Sequence, residues 1–132
     1  MEQMGQSGET CYSLCRGKFL ELLKAGRWEY VRRVNANGAV MIVAVTEDGE
    51  LLLVEEYRVP LHALTIGLPA GISGDEGEES TLQSARRELE EETGYRADAW
   101  TYLFTGPSSP GLTTEMAVSY THLRAHETLM NL

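Results

Sequence analysis

The sequence contains few of the features that stabilise small secreted proteins. Two of its 132 residues are cysteines, Cys11 and Cys15, and only three residues separate them. That spacing fits neither a disulfide framework nor the paired cysteines of a zinc knuckle. We therefore expect two reduced thiols and a cytoplasmic location.

Long apolar runs are also missing from the chain. The longest one covers residues 39–45, whereas a helix needs roughly 20 apolar residues to cross a bilayer. The first ten residues are polar and lack the apolar centre of a signal peptide. The sequence therefore predicts neither a membrane segment nor an export signal.

Positive charge is scarce. Eleven Lys and Arg residues face twenty Asp and Glu residues, which gives a net charge of −9. Binding to nucleic acid or to an anionic membrane requires clustered Lys and Arg side chains, so we expect neither partner. Eight of the twenty acidic residues lie between residues 75 and 92, so much of the negative charge is local.

The length and composition predict one domain. With 42% hydrophobic and 23% charged residues, the chain has an ordinary globular composition. Residues 1–16 show no clear period and are predicted to form a poorly structured leader, and residues 17–120 would form the domain. Residues 121–132 contain no glycine or proline and resemble translated linker sequence, so we interpret them as a possible non-native tail.

Several strands are predicted from the apolar pattern. The runs at residues 39–45 and 51–54 predict strands that are buried on both faces. Residues 46–50 between them contain an Asp-Gly pair, which is typical of a hairpin turn. Residues 19–23 predict a short amphipathic turn. Further strands are predicted at residues 28–34, 64–68, 100–105 and 114–120.

A helix is predicted between Ser80 and Gly94. Ser80 can cap its start, and Gln83 completes a capping box. Gly94 can adopt the left-handed conformation that ends a helix. The apolar stripe of this segment predicts that its acidic residues lie on the other faces.

Three glutamates, Glu88, Glu91 and Glu92, lie within about one turn of each other on this helix. Like charges at such a spacing repel each other unless a cation neutralises them. Mg²⁺ and Mn²⁺ prefer a few carboxylates together with waters and phosphate oxygens. The spacing therefore predicts a divalent-metal site, with Arg87 able to hold the carboxylates through a forked ion pair that includes Glu79.

The segment before the helix, residues 60–78, is rich in glycine and proline and is predicted to be an ordered loop. Glycine lets a backbone approach a metal or phosphate closely because it has no Cβ. Ala70 and Gly71 are well placed for such an approach.

These residues together resemble the signature of the Nudix hydrolases, which reads G-x5-E-x7-R-E-U-x-E-E-x-G-U with U apolar. The matching residues are Glu79, Arg87, Glu88, Leu89, Glu91, Glu92 and Gly94, with Tyr95 at the last apolar position.

One position departs from the signature, because Ser73 stands where its first glycine is expected. Gly71 lies two residues earlier, so we expect the loop to bulge around Gly74. This departure leaves open whether Glu78 or Glu79 fills the first acidic position.

The resemblance implies an α/β fold, the Nudix α/β/α sandwich with a mixed β-sheet. It also implies Mg²⁺ as the cofactor, with Mn²⁺ as a possible substitute. The implied metal ligands are Ala70, through its carbonyl oxygen, and Glu88, Glu91 and Glu92. The implied catalytic residues are Arg87, Glu88, Glu91 and Glu92.

Within the family, residues 16–117 resemble the ADP-ribose pyrophosphatase branch. Residues 28–33 resemble its adenine-binding segment, which often acts across a homodimer, and Arg58 resembles its substrate-facing arginine. Gly67 stands where that branch usually has glutamate. The implied substrate-binding residues are Trp28, Glu29, Arg58, Gly71, Pro110, Gly111 and Glu115.

The reaction implied by this resemblance is metal-dependent hydrolysis of ADP-ribose or a related nucleoside diphosphate sugar to AMP and a sugar phosphate. The general base of the branch commonly lies on a loop beyond residue 120, which this chain does not show; Glu91 or Glu115 could replace it. Two alternatives remain open: another nucleotide-sugar or dinucleotide Nudix hydrolase, and a Nudix module that binds a nucleotide without hydrolysing it. The expected partners are the small-molecule substrate and a second copy of the chain.

Overall fold

The computed structural model describes residues 3–4, 10–36, 38–74 and 79–127. Their strands are β1 (Gln3–Met4), β2 (Thr10–Arg16), β3 (Leu20–Ala25), β4 (Trp28–Arg33), β5 (Gly38–Thr46), β6 (Val54–Arg58), β7 (Ala63–Gly67), β8 (Ala70–Ser73), β9 (Tyr95–Arg96), β10 (Thr101–Pro107) and β11 (Met116–Glu127). The helices are the 3₁₀ turn Val59–Leu61 and α1 (Thr81–Thr93). Across these ranges, no helix is long and apolar enough to span a bilayer.

The central sheet is mixed. Its strands follow the order β10-β11-β5-β8, and β9 pairs with the far end of β11. β11 runs parallel to β5, whereas β8 and β10 run antiparallel to their neighbours. This topology confirms the predicted α/β fold with a mixed sheet. In the described part of the chain, α1 is the one α-helix that covers this sheet.

One face of the sheet packs against α1. Val40, Ile42 and Ala44 of β5 are completely buried against Ala85 and Leu89 of the helix. Burying an aliphatic side chain of this size contributes about 1.5–3 kcal/mol relative to leaving it in water. Because this packing fixes the rotation of α1 about its axis, it also fixes where the acidic face of the helix points.

The helix has the ends predicted from the sequence. The hydroxyl of Ser80 accepts a hydrogen bond from the Gln83 N–H at 3.2 Å, and the Gln83 side chain accepts one from the Ser80 N–H at 3.0 Å. Gly94 follows in the left-handed conformation, with φ of 73°. The capping box and the glycine stop are both confirmed.

The prediction that the 39–45 strand is buried on both faces is wrong. β5 alternates along its length: Val40, Ile42 and Ala44 are fully buried, but Met41 between them is 37% exposed. The reason is that α1 covers one face of the sheet only. A continuous apolar run does not distinguish this arrangement from burial on both faces.

The predicted turn at residues 46–50 is present. The Thr46 N–H donates to the Glu50 carbonyl at 2.8 Å, and Gly49 has φ of 80°. The expected second strand at residues 51–54 is reduced to a single bridge between Val45 and Leu51. The chain then leaves β5, and β6 pairs with β7 in a separate ribbon.

The amino-terminal part is more regular than the sequence predicts. β1 to β4 form an antiparallel sheet in chain order, so residues 10–16 are a strand rather than part of a poorly structured leader. The amphipathic turn expected at residues 19–23 is also wrong, because β3 occupies that segment. Its alternation buries Glu21 and Leu23, and Arg32 pairs with Glu21 at 2.6 Å. Residues 1–2 and 5–9 lie outside the described part of the chain.

The remaining strands lie close to their predicted positions. β4, β7 and β10 each begin or end within two residues of the expected bounds, and β11 extends the strand predicted at residues 114–120 to Glu127. Residues 121–127 therefore continue a strand of the central sheet. Their interpretation as non-native sequence stays a hypothesis, and residues 128–132 lie outside the described part. Cys11 and Cys15 are free thiols.

Candidate metal and phosphate site

Arg87 connects three carboxylates at the start of the acidic face of α1. Its Nε and Nη2 atoms each donate to Glu79 at 3.0 Å, whereas Nη1 donates to Glu88 at 3.1 Å and to Glu91 at 3.2 Å. The Arg87, Glu79 and Glu88 side chains are 18%, 16% and 13% exposed, so solvent screens these contacts only in part. One guanidinium cannot neutralise three carboxylates. The site therefore retains negative charge that a metal cation can balance.

Of these carboxylates, Glu79 accepts the most hydrogen bonds: one from Ser84 and two from different nitrogens of Arg87. Hydrogen bonds from Arg87, and then from Ser84, hold the pKa of the Glu79 carboxyl below its usual range. It therefore stays ionised over the neutral pH range and keeps Arg87 fixed. Glu78, the alternative occupant of this position, lies outside the described residues.

Glu88 lies directly against the backbone of β8. A Cβ placed on Gly71 would be 2.1 Å from the Glu88 carboxyl carbon and 2.2 Å from its Oε1 atom. No side chain fits at position 71 while Glu88 keeps this place. Gly71 thus lets the carboxylate and the strand backbone approach each other.

Glu92 lies one turn further along α1, beside Glu88. The Ala70 N–H approaches the Glu92 Oε2 atom at 3.4 Å. Although Glu92 as a whole is exposed, loss of hydration around its carboxyl raises its pKa to about 7, and the Ala70 N–H opposes the rise while Glu88 and Glu56 add to it. Burial also raises the pKa of Glu88.

These carboxylates fit a metal that also binds substrate. In the described ranges, no three acidic, histidine or cysteine side chains converge to enclose a metal by themselves. Mg²⁺ does not need such a cage, because it commonly takes one or two carboxylates and completes its shell with water and phosphate oxygens. Glu88 and Glu92 beside the Ala70 backbone meet that requirement. The carbonyl of Ala70 stays a predicted ligand, since the contact shown is made by its N–H.

Glu91 differs from the other two acidic residues of the predicted metal set. Its side chain is 56% exposed, and its carboxylate accepts the hydrogen bond from Arg87. Its predicted roles as metal ligand and catalytic residue stay predictions.

A cleft of about 380 Å³ opens beside Ala70 and Gly71. Its wall also includes Arg58 and Glu115, so the structure brings four of the sequence-predicted residues together. Arg58 pairs with Glu56 at 3.0 Å, and both side chains are about half exposed. The cleft thus presents a cation on β6 together with the Ala70–Gly71 backbone, against which Glu88 and Glu92 lie.

Glu115 is held firmly at the other end of this cleft. Its Oε2 atom accepts a hydrogen bond from Arg33, and its Oε1 atom accepts one from the Ser108 hydroxyl at 3.1 Å. Both carboxylate oxygens therefore already have donors. This arrangement does not favour Glu115 as the replacement base, because its pairing with Arg33 stabilises the ionised form and so opposes uptake of a proton.

Most of the predicted adenine-binding segment lies apart from this cleft, although Arg33 at its end lines it. Trp28, which is 59% exposed, and Pro110 line a second, open cavity together with Tyr30, Thr113 and Thr114. Glu29 and Gly111 line neither of the two cavities. The structure therefore joins Trp28 to Pro110 but does not join either residue to the metal and phosphate residues.

Sequence reasoning missed several members of the site. Glu56 could have been found, because residues 56 and 58 are two apart on a strand and share a face. Arg33 ends the segment that resembles the adenine-binding one, but its partner Glu115 is 82 residues away and is not predicted by the sequence. Ser108 and Ser84 bind carboxylates only seven and five residues away, but a single serine carries no comparable sequence signal.

Comparison with known proteins agrees with this geometry. The NUDIX domain model matches residues 36–131, and the chain therefore belongs to the NUDIX domain family. The crystal structure of an ADP compounds hydrolase superimposes with a TM-score of 0.71 and 26% identity, covering 90% of this chain and 68% of that one.

Two curated relatives have similar identities but different names. The ADP-ribose pyrophosphatase of Bacillus subtilis (strain 168) is 40% identical over 93 residues, which cover 70% of this chain and 48% of that protein. The methanol dehydrogenase activator of Bacillus methanolicus is 39% identical over 83 residues, which cover 63% of this chain and 44% of that protein. The chain thus spans about half the length of these relatives.

Replacing Gly71 with alanine should weaken metal binding without unfolding the protein. The new Cβ displaces the Glu88 carboxylate, which is the flexible end of a side chain, and leaves the backbone in place. Mn²⁺ affinity measured by titration should fall by about tenfold or more, as is typical when the support of a metal ligand is lost. Gly67→Ala is the matched control, because a Cβ there meets no atom within 4 Å. Equal Mn²⁺ affinities for the two variants would contradict this role of Gly71.

The metal-free protein should lose stability through Glu92 as the pH rises. The Glu92 carboxyl binds its proton more tightly in the folded chain, with a pKa of about 7, than at its ordinary value of 4.5. This contribution is therefore complete below pH 4.5 and is lost by about pH 7. We would measure melting temperatures of the wild type and of Glu92→Gln in the presence of a chelator at pH 5 and pH 8. The melting temperature of the variant relative to that of the wild type should be higher at pH 8 than at pH 5. A constant difference would show that Glu92 does not titrate in this way.

Proposed function

We propose that this protein is a Mg²⁺-dependent hydrolase that cleaves the diphosphate linkage of ADP-ribose or a related nucleoside diphosphate sugar into AMP and a sugar phosphate. The observation that supports the proposal best is the Glu79–Arg87–Glu88 chain of ion pairs beside the Ala70–Gly71 backbone. Glu88 lies against Gly71, and Ala70 and Gly71 line a cleft of about 380 Å³ that also contains Arg58. The ADP-ribose pyrophosphatase relative makes this substrate class the first to test.

Each part of the cleft has a distinct task in this proposal. Glu88 and Glu92 would hold the divalent cation, and the Arg87 guanidinium keeps Glu88 in place. Arg58 faces the same cleft from β6 and can bind a phosphate oxygen after exchanging its partner Glu56. When bound, the cation would neutralise phosphate oxygens and lower the pKa of a bound water.

The finer parts of the proposal come from the resemblance. Mn²⁺ could replace Mg²⁺ because both accept carboxylate and phosphate oxygens. Trp28, half-exposed in an open cavity with Pro110, would contact the base of the substrate, and a second copy of the chain could close that cavity in a homodimer. The proposal also places the protein in the cytoplasm, as expected from its two reduced thiols.

A nucleotide-binding module without catalysis is the second candidate. One observation favours it: Glu115 is paired with Arg33 and Glu91 with Arg87, so each of the two replacement bases is held in its ionised form by an arginine. A module of this kind would bind ADP-ribose without releasing AMP. Another nucleotide-sugar hydrolase is the third candidate, because side chains outside the metal site set substrate choice.

The hydrolase proposal predicts Mg²⁺-dependent release of AMP from ADP-ribose. The variant Glu92→Gln should lower kcat by about 100-fold or more, a typical loss when a group that stabilises transition-state charge is removed. The matched control is Glu90→Gln, which makes the same change on the helix face toward Arg86 and Trp100 and should keep kcat within about twofold. The assay is quantification of AMP by chromatography, with a GDP-sugar as the competing substrate.

Two results would overturn this proposal. ADP-ribose binding without AMP release, unaffected by Glu92→Gln, would favour the binding module. Faster hydrolysis of the GDP-sugar than of ADP-ribose would favour the other class of hydrolase.

A further inference from the structure

Two buried serines lie directly beneath the Glu79–Arg87 ion pair. Ser84 on α1 is completely buried, and Ser73 at the end of β8 is 2% exposed. The Ser84 hydroxyl is 2.6 Å from the Glu79 Oε1 atom, and the two serine hydroxyls are 3.3 Å apart. A continuous polar contact therefore runs from β8 through α1 to the carboxylate that holds Arg87.

The direction of these hydrogen bonds follows from proton count. Ser84 has one hydroxyl proton, so only one of its two contacts can be its own donation. The ionised Glu79 carboxylate is a stronger acceptor than the Ser73 hydroxyl, so Ser84 donates its proton to Glu79. In the second contact, the Ser73 hydroxyl therefore donates its proton to the Ser84 oxygen. Ser73 thus satisfies Ser84, and Ser84 satisfies Glu79.

The orientation of Glu79 decides how the Arg87 fork is used. Glu79 receives the Nε and Nη2 donors, which leaves Nη1 for Glu88 and Glu91. If the Glu79 carboxylate rotated, the guanidinium would follow it, because bidentate pairing is planar. Nη1 would then leave Glu88, whose position against Gly71 has little tolerance.

We propose that Ser84, supported by Ser73, is a positioning residue for the metal and phosphate site, because it fixes the Glu79 rotamer that directs Arg87 toward Glu88. The expected effect on kcat rests on the proposed function. The expected effect on metal affinity does not, because it can be measured without catalysis.

Packing alone accounts for a small residue at position 84 but not for its hydroxyl. Ala85 and Leu89 supply the apolar contacts of this helix face, and alanine would fit the space of Ser84. Alanine is also the better helix former. A serine here gains its advantage from the hydrogen bond to Glu79, since a hydroxyl left unpaired in this interior would cost free energy.

The test is Ser84→Ala, with two readouts. Mn²⁺ affinity, measured by titration without substrate, should fall by about threefold to tenfold, below the loss expected for a direct partner of a metal ligand. With ADP-ribose, kcat should fall by a similar factor while KM stays within about twofold, because Ser84 touches no substrate-facing group. Unchanged Mn²⁺ affinity would overturn the proposal.

The decisive control is the same substitution in a Glu79→Gln background. If Ser84 acts through Glu79, the loss of Mn²⁺ affinity caused by Ser84→Ala should disappear there, because residues of one network are not additive. An equal fold-loss in both backgrounds would show that Ser84 acts independently of Glu79, and would overturn the proposal.

A matched variant completes the design. Ser73→Ala leaves the Ser84–Glu79 contact intact, so its effect on Mn²⁺ affinity should be smaller than that of Ser84→Ala; a larger effect would contradict the proposed order. Should Ser84→Ala not fold, Ser84→Cys tests the same contact with a weak donor and should show the same direction of change. If the wild type binds Mn²⁺ but releases no AMP, the proposed function fails while the Mn²⁺ readout still tests the role of Ser84.

Discussion

The forked ion pair between Arg87 and Glu79 is the interaction on which the site depends. It fixes the guanidinium so that Nη1 reaches Glu88, and it stays ionised because hydrogen bonding lowers the pKa of Glu79. Without it, Glu88 and Glu92 would be two adjacent carboxylates with raised pKa values and no fixed geometry. Because Glu79 pairs with Arg87, the charges of Glu88 and Glu92 are not fully neutralised. A divalent cation that also binds phosphate can balance them.

The fold supports this ion pair from two sides. Leu89 and Ala85 bury one face of α1 against β5, so the adjacent face turns Glu88 and Glu92 toward β8. β8 in turn pairs with β5 and places Ala70 and Gly71 against Glu92 and Glu88. The same sheet therefore carries both the core that orients the helix and the backbone that meets its acidic face. This coupling explains how a chain with one described α-helix can present a defined site.

The sequence predicted α1 and its carboxylates well because the signals for them are local: a capping box, an apolar stripe and a terminal glycine lie within fifteen residues. β2 and β3 were missed because their apolar alternation is weak: one buried position of β3 is Glu21, whose charge is compensated by Arg32 on the next strand. The sequence placed Arg58 and Glu115 at the site but could not show that Arg33, 82 residues from Glu115, binds it. Ser84 lies outside the apolar stripe of α1, and its burial is explained by its hydrogen bond to the Glu79 carboxylate.

The central claim is that Glu88, which Arg87 holds, and Glu92, which lies beside Ala70, bind a divalent cation together with a substrate diphosphate. Electron–nuclear double resonance on Mn²⁺ in the complex with a non-hydrolysable, methylene-bridged analogue of ADP-ribose tests this claim directly. The account predicts a strong phosphorus-31 coupling to protein-bound Mn²⁺ that is absent before the analogue is added. Protein-bound Mn²⁺ without any phosphorus coupling, in a complex shown to contain the analogue, would contradict it.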